Sequence, residues 1–120
     1  MGDELDGQLQ MNRETWSRLN EQGVRPGDAI NVDAFFFAPH EEAATQLADA
    51  LSAAGWESRV SSSKAGLLRR KVSWDVQASR LVSGVDLGRL DALVTELEAT
   101  AAVHDSEFDG WGTELQPESR

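Results

Sequence analysis

Ile30-Asn31-Val32-Asp33-Ala34-Phe35-Phe36-Phe37 is the stretch on which the fold turns. Its β-branched and aromatic residues favour extended backbone. A period of two sets Ile30, Val32, Ala34 and Phe36 on one face and Asn31, Asp33, Phe35 and Phe37 on the other. Toward the C-terminal end both faces become apolar, as expected of a central strand whose one side lies under a helix layer. The second side is expected to be reached in part by a helix at the N-terminus.

Working outward, Pro26-Gly27-Asp28 is turn chemistry ahead of this strand, and Gly23 is a good stop for a short helix over Glu14 to Gln22. That helix has only Trp16 and Leu19 on its apolar side, so it needs the rest of the domain to hold it. On the other flank, Pro39 opens a helix without loss of a hydrogen bond, and Glu41 and Glu42 suit the positive end of its dipole. Ala44, Leu47, Ala48 and Leu51 form its inner stripe, and Gly55 ends it. Trp56 to Val60 reads as a strand, and Val72, Trp74, Val76 and Ala78 alternate with polar neighbours in another. Asp86 is placed to cap a helix with the stripe Leu87, Leu90, Leu93, Val94, Leu97 and Ala101, which ends by His104.

A last strand follows in Phe108-Asp109-Gly110-Trp111-Gly112-Thr113-Glu114. The expected order after the first helix is therefore strand, helix, strand, strand, helix, strand. This is the ferredoxin-like βαββαβ arrangement, an α+β fold with one antiparallel sheet and two helices on one face, preceded here by an N-terminal helix. Right-handed crossovers make the first and third strands the central pair and leave the strand of Trp111 at an edge. The expected organisation is a flexible acidic N-terminus over 1–12, one domain over 13–115 and a flexible end over 116–120.

Two glycines around Trp111 leave a bulky ring on a backbone with little steric cover, which calls for a bulge or a close approach. The order Asp109-Gly110-Trp111-Gly112-Thr113, after a helix and an acidic turn, resembles the C-terminal signature of the regulator of ribonuclease E activity B family. Upstream, the Gly23 stop, the Pro26-Gly27 linker, the Ile30 strand and the Gly55-Trp56 junction fall in the same order, so the resemblance spans about Glu14 to Glu114. It implies a small acidic inhibitor that acts by binding an endoribonuclease of the ribonuclease E type. The chain departs from better-known members in stopping at Pro117-Glu118-Ser119-Arg120 where they carry a long acidic tail, and in the basic run Lys64 to Lys71.

Composition is consistent with that implication. One domain of 120 residues buries enough surface for a core without staples, and the chain has no cysteine for disulfides, thiolate zinc sites or thiol catalysis. Cysteine-free composition and an acidic start without an apolar leader fit a cytoplasmic protein, and no apolar run spans a bilayer. A net charge of −10 opposes general binding to nucleic-acid phosphates and favours a basic protein partner. Charge is uneven, however: the segment from Glu57 to Arg80 carries +4. Within it Lys64, Arg69, Arg70 and Lys71 form either a solvated hairpin end or a local contact for RNA phosphates or an acidic patch.

No catalytic, cofactor or metal constellation stands out. His40 and His104 each sit by a helix end, where capping or solvation competes with a general-base role. Glu41 with Glu42, and Glu96 with Glu98, do not face each other on a helix, and no phosphate-cradling glycine pattern occurs. Asp105, Glu107, Asp109 and Glu114 read as a solvated acidic turn rather than a cation loop. The candidate partner-binding residues are Asp109, Gly110, Trp111, Gly112, Phe35 and Phe37. Trp111 is either packed over the sheet edge or an interface anchor, and Phe35 and Phe37 are either covered by Trp16 and Leu19 or part of a contact patch. Two functions remain open. One is a non-catalytic regulator that binds a nuclease; the other is a ferredoxin-like module that dimerises or takes a small ligand, unrelated to RNA decay.

Overall fold

A computed structural model describes residues 2–63 and 73–113. In chain order the elements are α1 (Gly2–Glu21), β1 (Ile30–Ala38), α2 (Glu41–Ala53), β2 (Glu57–Ser63), β3 (Ser73–Val82), α3 (Leu87–Val103) and β4 (Glu107–Gly112). The strands form one antiparallel sheet in the order β2-β3-β1-β4, so β1 and β3 are central and β4 lies at an edge, as the crossover argument required.

The alternation in β1 is realised residue by residue. Ile30, Val32, Ala34, Phe36 and Ala38 are buried, and they join Leu47 and Leu51 of α2 and Leu90, Val94 and Leu97 of α3 in one core. Phe36 meets Phe108 of β4 with ring centroids 5.3 Å apart and planes tilted by 50°, a favourable aromatic geometry. The helix ends are set by local chemistry. His40 rather than Pro39 is the residue at the mouth of α2: its Nδ1 accepts from the Ala43 amide at 3.2 Å, and the helix begins at Glu41. Asp86 caps α3 through a 2.7 Å hydrogen bond from the Arg89 amide to Oδ1. Replacing it in Asp86→Ala should lower the unfolding free energy by about 1 kcal/mol, and a denaturant titration showing no shift in midpoint would contradict that capping role.

Helix α1 differs from expectation in length and in position. It starts at Gly2 instead of Glu14, so residues 2–12, expected as a flexible lead-in, are helical. Its inner side is Leu9, Asn12, Trp16 and Leu19, a helical stripe with a polar residue in its middle, and it packs along α3 rather than beneath the sheet. The buried Asn12 explains the choice. Its Nδ2 donates to Asp91 Oδ1 of α3 at 2.9 Å, and its Oδ1 accepts from the Trp111 indole Nε1 at 2.8 Å. A buried amide satisfied on both sides fixes the helix where those two partners are.

Candidate partner-binding face

With both crossover helices on one side and α1 docked on α3, the opposite face of the sheet has no helix packed on it among the described elements. Phe35 and Phe37 are therefore not covered by Trp16 and Leu19; each is 40% exposed. Strand pairing defines their neighbours. Residues directly opposite one another share a face, which puts Gln77 and Arg59 in the row of Phe35, and Asp75, Ser61 and Glu107 in the row of Phe37. The next row holds Glu57, Ser79, Asp33 and Gly112, with Ser79 Oγ donating to Asp33 Oδ1 at 2.6 Å.

The tryptophan motif is divided by the pleat. Phe35 lies opposite Gly110 while Phe36 lies opposite Phe108, so Asp109 is the extra residue of a β-bulge. Gly110 accommodates it with a φ of 131°, a conformation L side chains rarely adopt; Gly112 needs no such freedom. The bulge turns Asp109 toward Phe35 and Phe37, with which it lines a hollow of about 240 Å³ together with Arg59, Ser61, Asp75 and Gln77. Trp111 instead lies opposite Ala34 on the helix-covered face, half-buried against the core and bonded to Asn12. Of the residues predicted from sequence, Phe35, Phe37 and Asp109 come together, whereas Trp111 looks the other way. Lys64, Arg69, Arg70 and Lys71 lie outside the described residues.

Asp33 shares this face, as the period of two in β1 places it, and two residues from other strands, Asp75 and Arg59, join it through a register that no local sequence signal reveals. Asp75 is unusual among them, because its Oδ1 is buried and has no hydrogen-bond partner among the described residues. Among the described residues this face carries five carboxylates, Asp33, Glu57, Asp75, Glu107 and Asp109, with the guanidinium of Arg59 beside them. A second, wider hollow of about 620 Å³ continues along the strands past Asp33 and Ser79 to Asn31 and Leu81, the last 61% exposed.

His40 is engaged as a helix cap, and His104 closes α3 at its other end. Among the described residues no three His, Asp or Glu side chains gather to hold a metal ion, and no helix is long and apolar enough to cross a membrane. The described residues form an acidic α+β domain with one face of its sheet packed under helices and the other presenting aromatic rings among carboxylates. The chain belongs to the family Regulator of ribonuclease activity B, whose model, RraB, matches residues 9–113. That match begins at Leu9, the first residue of the α1 packing stripe, and ends just past β4. No curated protein matches the chain significantly. Membership makes regulation of ribonuclease activity the function of its class.

Proposed function

We propose that this ferredoxin-like domain is a non-catalytic, cytoplasmic regulator that binds an endoribonuclease of the ribonuclease E type through the open face of its sheet and so slows RNA decay. The observation that carries the reading is the pairing of family membership with a face where Phe35 and Phe37 stand half-exposed inside a ring of carboxylates. Aromatic side chains give such a contact its apolar centre, and surrounding charge of one sign steers a partner of the other sign onto it. A net charge of −10 supports a basic protein surface as the target and opposes direct attachment to RNA phosphates. Self-association through this face is disfavoured by the same charge, since a two-fold dimer would bring the five carboxylates of one copy against those of the other.

The test is an RNA-cleavage assay with a purified ribonuclease E-type enzyme, its full chain present, titrated with this protein. Cleavage should fall in a saturable manner, and the association rate should drop roughly tenfold or more as salt rises from low to physiological strength, because steering is screened over a Debye length of about 8 to 10 Å. Undiminished cleavage at saturating protein would reject the reading. Inhibition with an association rate indifferent to salt would keep the regulator and remove the steering.

A further inference from the structure

The hollow between Phe35, Phe37, Asp75 and Asp109 has a chemistry narrower than that of a general protein contact. Its floor and walls combine aromatic rings with carboxylates, and one carboxylate oxygen, Asp75 Oδ1, is buried without a hydrogen-bond partner among the described residues. Leaving a carboxylate oxygen unpaired in that position is costly, so a donor delivered from outside, toward which the Asp75 carboxylate can turn, gains more here than at a solvated aspartate. The donor that suits both parts of the hollow is a planar cation. A guanidinium stacks on phenylalanine faces and at the same time presents paired N–H groups to a carboxylate, whereas an ammonium acts as a hydrated point charge with no plane to stack.

We infer that this hollow is a socket for an arginine side chain, delivered by an extended basic segment of the partner protein. The inference rests on the proposed regulator reading and names the chemistry of its partner. An extended segment fits because the two hollows lie in series along β1 and β3, from Phe37 and Asp75 to Asn31 and Leu81. That path is about 20 Å long at the rise of a strand, the length of roughly six extended residues. Asp33 and Glu57 border its second half and supply further anionic partners for basic residues of alternate spacing, while Arg80, drawn over the Trp56 ring, lines the far side of that hollow. Arg59, the one cation among the described residues that line the first hollow, stands on β2 at its flank, and Asp109 stands on the opposite side, on β4. The cation therefore enters from the β4 side, between Asp109 and Asp75.

The experiment uses the full chain and synthetic peptides of about six residues, one of arginine, one of lysine and one of glutamate, followed by calorimetry and by backbone NMR shifts at physiological salt. The arginine peptide should bind with shifts centred on Phe35, Phe37, Asp75, Gln77 and Asp109, several-fold more tightly than the lysine peptide, and the glutamate peptide should not bind. Asp75→Asn should weaken the arginine peptide roughly tenfold, and Phe37→Leu, which keeps an apolar side chain but no ring face, should erase most of the preference for arginine over lysine. Asp49→Asn, on the exposed side of α2, should change nothing. Unfolding curves of the variants exclude loss of fold as the cause. Shifts scattered over the acidic surface, equal binding of arginine and lysine, or an indifferent Asp75→Asn would each overturn the socket. Failure of the two proposals is separable: a specific arginine socket without nuclease inhibition sinks only the ribonuclease reading. Inhibition untouched by Asp75→Asn sinks only the socket.

Discussion

Trp111→Ala should destabilise the domain by about 4 kcal/mol and lower the thermal midpoint by on the order of 15 °C. Two losses combine. Truncation removes a half-buried ring that packs against the core, worth about 3 kcal/mol at the low end of the range for large aromatic residues, and it strands the Oδ1 of Asn12, which is 1% exposed and receives the indole N–H at 2.8 Å. Trp111→Phe separates them, keeping a ring and deleting the donor, and should cost about 1 to 2 kcal/mol. Asn12→Ala provides a third measurement. Because Asn12 also donates to Asp91, the double variant Asn12→Ala with Trp111→Ala should cost clearly less than the sum of the single changes. A Trp111→Ala protein that unfolds at the wild-type midpoint would show that the indole is a surface anchor, and strict additivity would show that α1 is held by something other than this pair of hydrogen bonds.

Those residues also show where the sequence was legible and where it was not. The alternation of Ile30, Val32, Ala34 and Phe36 is a local signal, and so are the Asp86 cap and the stripe of α3; each can be read within a window of a few residues. Strand order then followed from the handedness of crossovers, which depends on element order alone. The position of α1 had no such signal. It is set by Asn12 reaching Asp91, a partner 79 residues away, and a polar residue in the middle of a sparse apolar stripe reads as a solvent-facing position until its partners are known. For the same reason the apolar pattern places the start of the helix at Glu14. The first turns of α1 have almost no apolar residues, and Leu9 marks an inner face only when the α3 surface it meets is in view.

The candidate site was half legible, and the division follows the pleat of β4. The two glycines around Trp111 correctly indicated irregular backbone, but only the register shows that the bulge falls at Asp109 and that the positive φ belongs to Gly110. A single extra residue moves side chains from one face of a sheet to the other, so a motif contiguous in sequence contributes Asp109 to the open face and Trp111 to the packed one. Asp75 and Arg59 come from strands that pair with β1 directly or through β3, and no spacing rule in the sequence joins them to Phe35.

The converse of the tryptophan result is expected on the other face. Replacing both Phe35 and Phe37 by threonine, which retains strand preference while removing the rings, should weaken inhibition of a ribonuclease E-type enzyme by roughly 30-fold or more, the equivalent of at least about 2 kcal/mol for an interface anchor. Stability should fall by less than about 2 kcal/mol in total, because both side chains are already 40% exposed and leave no closed cavity when shortened. The contrast is what gives the pair of variants its force. Trp111→Ala should lose stability and, measured well below its midpoint, retain most of its inhibition; Phe35→Thr with Phe37→Thr should retain the fold and lose the inhibition. If instead the double threonine variant inhibits as well as the parent, the open face is not the contact surface, and the partner must be held on the helix side of the domain, where the exposed carboxylates of α2 would be the next place to look.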